Sequence, residues 1–431
     1  MAPKDPRRLS RRAWLATTSG VIAAGLIKTQ ADAVNLVAQE PSGSASTLIA
    51  DGSAAADPTR TPGRLVSELG GRAPDERPRR LVRSPALSSS SRTPLQDLMG
   101  TITPADLHFE RHHAGVPDIR AEDHELLVHG MVDRPTVFRM ADLKRFPRTS
   151  RVHFIECSGN GGGIYNRDRM PTEVTPQSLD GLLSTSEWTG VPASTILREV
   201  GVRPGASWIL AEGSDAAVMS RSVPLAKMMD DAVLAYGQNG EAIRPEQGYP
   251  LRLTLPGWEG NAQVKWLRRI EVTDRPTMTR DETSKYTDPL QGGRARQFSF
   301  VMDAKSLITF PSYPYALPDR GWWEIQGLAW SGRGRITRVD ISTDAGRTWA
   351  PAQLQSPVLS KSTTSFRHLW NWDGSETVIL SRAVDETGYV QPTVQELWAA
   401  RGERTSYHHN HQRAWKIAPT GEVTFGLGEL V

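Results

Sequence analysis

His153-Phe-Ile-Glu-Cys157-Ser-Gly-Asn160-Gly-Gly-Gly163 is the stretch from which the rest of the chain can be read. Arg151 to Glu156 reads as a strand, so the single cysteine stands at a strand end, where a side chain can be held rigidly. The glycines behind it let the backbone approach a large ligand closely and offer amides to anionic groups. Three roles suit such a thiol: a small buried hydrophobe, a nucleophile paired with a histidine, or a soft ligand for a metal. Taken alone, the first has the most weight, and only the surroundings can overturn it.

Outward from this stretch, residues 94–290 show short apolar runs broken by Gly and Pro, as in a mixed α+β domain. His124 to Val132 reads as a strand, and Val191 to Val200 and Pro224 to Met229 read as short helices. From Phe298 the pattern becomes nearly all β. Trp322 to Trp330, Ile336 to Ser342, Thr348 to Leu354, Ser365 to Trp370 and Glu376 to Val384 alternate apolar and polar residues between turns such as Asp344-Ala-Gly and Asp373-Gly. Residues 291–425 are therefore expected to form an immunoglobulin-like sandwich.

At the other end, Ser10-Arg-Arg-Ala-Trp-Leu15, an apolar run from Trp14 to Ile27 and Ala31-Asp-Ala33 read as a twin-arginine export signal over residues 1–33. The run is too short and too rich in small residues for a span needing roughly 20 apolar positions. Export of an already folded protein suits an enzyme loaded with its cofactor in the cytoplasm, and the expected location is the periplasm. Residues 34–93, rich in Ser, Ala, Pro, Gly and Arg, are expected to be a disordered linker.

Composition closes off several functions. Lys and Arg outnumber Asp and Glu by 14 to 8 in residues 1–94, whereas the remainder carries 37 against 40, so the body lacks the basic footprint of a nucleic-acid binder. One cysteine excludes an intramolecular disulfide, a CxxC zinc site and a CxxCH haem attachment. His108, His112 and His113 lack the Cys or HExxH partners of a zinc site. The tract Tyr407-His-His-Asn-His411 is expected to lie at the surface, near a subunit or partner interface, and Trp266 and Trp330 to be core residues.

Cys157-Ser-Gly-Asn160, Tyr249-Pro-Leu-Arg252 leading to Pro256-Gly, and Val264-Lys-Trp-Leu267 together resemble the molybdopterin domain of the sulfite oxidase family. Gly327-Leu-Ala-Trp-Ser-Gly-Arg333 and Asp340 to Trp349 resemble that family's dimerisation domain, and the likeness runs in order over residues 95 to 417. Arg244-Pro-Glu-Gln-Gly-Tyr249, Thr283-Ser-Lys-Tyr286 and Val384-Asp-Glu-Thr-Gly-Tyr389 are similar to its sulfane dehydrogenase branch.

The resemblance implies one molybdenum-molybdopterin per chain, with Cys157 as the metal's thiolate ligand. It places Arg111 at the substrate oxyanion and Tyr286 beside the metal-bound oxygen. Phe109, Glu110, Arg111, His112, His113, Asp215, Gln247, Arg252, Gln263, Val264 and Lys265 fall at cofactor-binding positions. It further implies oxidation of sulfane sulfur on a carrier protein, a c-type cytochrome as electron acceptor, and a homodimer or heterotetramer. The alternative is a sulfite dehydrogenase subunit acting on free sulfite. An empty, exported binding module and a Cys-His hydrolase are the competing classes, the latter without a matched histidine.

Two departures bear on substrate. Gly161, Gly162 and Gly163 stand where the family has arginines, and Gln247 stands where it commonly has a pterin-binding histidine. Loss of a cationic clamp weakens the case for free sulfite, and the glycines are expected to open the pocket for a sulfur chain on a flexible arm.

Overall fold

The strand that carries the thiol is Thr149–Glu156, whose last four residues are all buried. In the computed structural model residues 58–60, 62–165, 171–402 and 405–426 are described; the export signal lies outside them. All features below belong to the unit Arg72–Val431.

Thr149–Glu156 forms the edge of an antiparallel sheet, next to Leu183–Pro192, then Val233–Gln238, which also pairs with Glu241–Ala242 and Arg252–Thr254. A second sheet runs Thr136–Arg139, Glu125–Gly130, Leu267–Thr273, Trp208–Gly213, Ser220–Pro224. Only its Glu125–Gly130 and Leu267–Thr273 pair is parallel, and the long crossover that a parallel pair requires contains the whole first sheet. Leu126, Val128, Leu234, Leu253 and Ile270 from both sheets share one core with Ile196, Leu197 and Val200 of the helix Ala193–Val200.

That helix starts two residues later than its periodicity suggests. Val191 and Pro192 finish the strand instead, because Pro192 disfavours the helical region for the residue before it and itself sits at ψ 129. Gly201, at φ 73, ends it.

The C-terminal part has two antiparallel sheets. One is Lys305–Phe310, Gly321–Trp330, Thr364–Trp372, Gln353–Leu354; the other is Ala350–Pro351, Ile336–Ser342, Thr377–Asp385, Ala414–Ile417, Val423–Phe425. The expected strand Thr348–Leu354 is therefore split between the two. Pro351 has no N–H to donate, which suits the short edge pairing where the chain changes sheets.

Two expectations need correction. The linker assigned to residues 34–93 is structured at its end: Leu81–Val82, Ser90–Arg92 and Glu110–Arg111 make a three-stranded sheet. Thr93 is fully buried, its hydroxyl bonded to Leu107 O at 3.0 Å and Ser184 Oγ at 2.7 Å. A serine-rich run reads as solvated by composition alone, but here Ser90 and Ser91 are buried in strand pairing with Glu110–Arg111. Nor does packing stop at residue 290, since Leu95, Phe154, Val174, Leu179 and Leu183 join the core of the C-terminal sheets around Trp330, Phe366 and Trp415.

Candidate active site

Cys157 leaves its strand through a tight turn. Its N–H donates to Leu182 O at 3.0 Å and its carbonyl accepts from Asn160 N at 2.9 Å. Asn160 locks the turn, donating through Nδ2 to Glu156 Oε1 at 3.0 Å and Asp180 O at 2.8 Å and accepting from Leu182 N at 3.0 Å. Behind it lies a buried ionic cluster. Lys305 Nζ donates to Glu156 Oε1 at 3.1 Å and Asp180 Oδ1 at 2.5 Å; Trp330 Nε1 donates to Glu156 Oε2 at 2.6 Å; Arg413 Nε donates to Asp180 Oδ2 at 3.1 Å. Burial works against the Asp180 charge, but Arg413 and Lys305 outweigh it and hold that carboxyl down at about 2. The thiol is half-buried, and burial pushes its pKa up.

Cys157 faces a cleft that, with its open mouth, encloses about 690 Å³ of non-protein space. The same cleft is lined by Phe109, Arg111, His112, His113, Asp215, Gln247, Arg252, Gln263, Val264, Lys265 and Tyr286, all singled out from the sequence. Glu110 is the exception. It turns away to accept from Arg80 and, at 2.7 Å, from His112 Nε2; burial opposes its charge, yet His112 and Arg80 hold it below the usual carboxylate range.

Arg252 is the most informative wall residue. It is 3% exposed and donates only to carbonyls, Gln247 O at 2.9 Å and Gln263 O at 3.3 Å, while its Nε has no partner. No carboxylate among the described residues lies within ion-pair distance, and burial lowers its pKa to about 9. Lys265 lines the cleft too, but its ammonium is committed to Arg111 O at 3.2 Å, His112 Nδ1 at 2.8 Å and Glu246 O at 3.0 Å. It braces the Arg111–His112 backbone, and since His112 Nδ1 accepts, Nε2 carries the proton given to Glu110.

Across the cleft, Tyr286 Oη and His113 Nε2 are 2.8 Å apart. Burial and the Arg111 charge pull His113 down to about 4, so the ring is neutral near pH 7. Burial and then the Cys157 charge push the Tyr286 phenol far up, so it keeps its proton. Arg111, near them, has no carboxylate partner within 4 Å among the described residues; its guanidinium donates to His112 O and, at 3.4 Å, to Ser89 O.

Sequence reasoning missed His108, Ile155, Met219, Gly260, Asn261 and Trp266, which also line the cleft. Five of these lie in or beside stretches already singled out, so adjacency was the available signal for His108, Ile155, Gly260, Asn261 and Trp266. Trp266, expected as plain core, is 3% exposed yet forms part of the wall, at a left-handed φ of 52. No sequence signal marks Arg221, fully buried with its guanidinium 5.4 Å from the Tyr286 ring.

Two further expectations fail. The tract Tyr407–His411 is not at the surface: His408, His409, Asn410 and His411 are at most 5% exposed, and the segment runs against the Cys157 turn. Gly161 and Gly162 do not open the pocket either. A Cβ on Gly161 would stand 2.6 Å from Arg413 Nη2, and one on Gly162 2.8 Å from His409 Nε2 and 3.2 Å from Ser406 O. Only Gly163 faces open space, with Arg83 Nη1 at 3.9 Å.

A half-buried thiol and a buried guanidinium with no counter-charge suit a large anionic ligand bound through sulfur to a soft metal. His108 adds a buried, unpartnered Nε2 aimed at no protein acceptor. The residues present therefore fit a molybdenum-pterin group.

Comparison with known proteins agrees. The model of the oxidoreductase molybdopterin binding domain matches residues 113–280, and that of the Mo-co oxidoreductase dimerisation domain matches 296–414. Sulfite oxidase of Gallus gallus is 30% identical over 334 residues, covering 72% of this chain and 72% of its own. Nitrate reductase [NADH] 2 of Phaseolus vulgaris is 31% identical over 316 residues, 66% of this chain but 35% of its own, so the chain spans about a third of that relative. The crystal structure of the sulfane dehydrogenase SoxCD from Paracoccus pantotrophus superposes with a TM-score of 0.77 at 44% identity, covering 86% of this chain and 98% of that one.

Proposed function

The chain belongs to the sulfite oxidase family of molybdopterin oxidoreductases and stands close to SoxC, and from that premise we propose that it oxidises sulfane sulfur held on a carrier protein. The observation that supports the sulfane reading is the 44% identity to a sulfane dehydrogenase over 86% of the chain. We place the protein in the periplasm, exported folded through the signal at Ser10–Leu15, as a homodimer or heterotetramer with an immunoglobulin-type C-terminal sandwich. A c-type cytochrome takes the electrons, because the single cysteine leaves this chain no CxxCH haem attachment.

Bound in the cleft, a molybdenum cofactor would supply two-electron redox chemistry and oxygen-atom exchange with sulfur. Cys157 would hold the metal as a thiolate. Arg252 would hold the anionic pterin side, with Gln247, Gln263, Val264, His108 and Asp215 around it. Arg111, uncommitted to any carboxylate among the described residues, would hold the anionic sulfur group of substrate or product by charge-assisted hydrogen bonds. Tyr286 keeps its phenolic proton and shares it across 2.8 Å with the neutral His113, so this pair orients a polar atom at the reacting sulfur without adding charge.

Steady-state reduction of cytochrome c by the purified holoenzyme, with free sulfite and with a persulfidated carrier protein, tests the reading. A kcat/KM at least about tenfold higher for the carrier is expected. The reverse ratio would make the chain a sulfite dehydrogenase subunit.

A further inference from the structure

Thr405 to Arg413 forms a strap, buried except at the exposed Ser406 and the half-buried Tyr407, that touches both ends of the reacting geometry. At one end His408 N donates to Ser158 O at 2.7 Å; the atoms packed on Gly162 are His409 and Ser406, and those on Gly161 are Arg413, His409 and, outside the strap, Asp180 Oδ1. The volume that side chains would fill beside the Cys157 turn is thus filled by the strap. At the other end Tyr286 N donates to Tyr407 Oη at 3.1 Å, and the two rings are 5.3 Å apart.

That last hydrogen bond matters because of Tyr286's backbone. Its φ is 52, a left-handed conformation that a residue with a large side chain rarely adopts, and it persists only where neighbours over-determine it. Its amide partner is a side chain 121 positions away in sequence. Below the ring, Arg221 donates to Glu259 Oε1 at 3.2 Å, while Glu259 Oε2 lies 3.3 Å from His408 Nε2. Tyr407 and His408 therefore grip Tyr286 and the Cys157 turn from one short segment.

We propose that Tyr407 is a positioning residue that holds the Tyr286 phenol in the cleft that Cys157 also lines, and that Gly162 is glycine so that the strap can seat. This rests on the reading of the cleft as a molybdenum site acting on sulfur. Loss of the Tyr407 hydroxyl lets the Tyr286 backbone relax out of its left-handed conformation, and the phenol swings away from the reacting position.

Tyr407→Phe keeps the ring and removes one acceptor. In the holoenzyme, hydrogen–deuterium exchange at the Tyr286 amide is expected to rise about tenfold or more. Turnover should fall about tenfold with KM changed less than about threefold, at parent-like molybdenum content and melting temperature. Gly162→Ala, which displaces His409 on the far side of the turn, is expected to raise the same exchange. Unchanged exchange at Tyr286 in Tyr407→Phe overturns the proposal. If that variant does not fold, Gly162→Ala decides alone, and parent-like exchange there overturns it. Exchange needs no substrate, so a holoenzyme inactive on both sulfane and sulfite would defeat the functional reading while leaving the strap result to stand or fall separately.

Discussion

Arg252 concentrates the chemistry of the cleft in one side chain. A guanidinium that is 3% exposed, stacked 4.7 Å over the Trp188 ring and bonded only to carbonyls, costs stability unless an anion answers it. Its value therefore changes sign with the cofactor. Arg252→Met is expected to leave the cofactor-free chain as stable as the parent or more so, while molybdenum retained per chain drops about tenfold or more, equivalent to about 1.4 kcal/mol of binding. Thermal unfolding of the cofactor-free form and metal analysis of the loaded form check this. A cofactor-free variant weaker by about 2 kcal/mol with parent-like metal would show Arg252 to be a scaffold residue. The resemblance to the sulfite oxidase family pointed to Cys157, Arg252 and Tyr286 through the short motifs around them, and all three line the cleft. Such motifs could not disclose Tyr407 or Arg221, whose roles rest on contacts between distant segments, as in the Tyr286 to Tyr407 bond.

At the scale of elements, the strand Lys305–Phe310 carries a cation under the strand Thr149–Glu156, where Lys305, Glu156 and Asp180 are each at most 1% exposed. Breaking such a cluster from one side strands charge. Lys305→Met is expected to destabilise the protein by about 3–5 kcal/mol, read from the denaturant midpoint. Adding Asp180→Asn should recover part of that loss, whereas strictly additive losses would mean the ionic contact is not the cause. This strand was also hard to read. Its first four residues are all buried, as are most of Leu183–Pro192, so neither shows the two-residue alternation that made Thr364–Trp372 legible. The helix Val394–Arg401 was missed although Thr393 and Glu396 form a capping box at its start, a local signal stronger than its unpatterned apolar residues.

Taken whole, the molecule buries an unusual set of neutral imidazoles across both halves. His108, His153 and His409 are each at most 3% exposed and are pulled down to about 3, chiefly by burial; His411, fully buried, is pushed well below its ordinary value by burial and Arg413. In the unfolded chain each would titrate near 6.5. Because the folded pKa values are depressed, the unfolded state binds protons first as pH falls, so this stability is complete above about 6.5 and is lost between there and about 3. Asp180, held at about 2 against 3.8, acts in the same direction but only below about 4. The two windows hardly overlap, so Asp180 takes little part in the fall from pH 7 to 5, to which these histidines and His113 contribute, each approaching about 1.4 kcal/mol per pH unit. His409 and His411 sit in the strap, which ties this loss to the Cys157 turn. Chemical unfolding of the holoenzyme at intervals from pH 7 to 5 is expected to show a steady decline starting near 6.5. His153→Leu, which removes a ring with both nitrogens unpartnered and buried, should flatten that decline by about 1.4 kcal/mol per unit. A profile level down to pH 5 would mean that these rings take up protons in the folded state, and the neutral core described for them would be wrong.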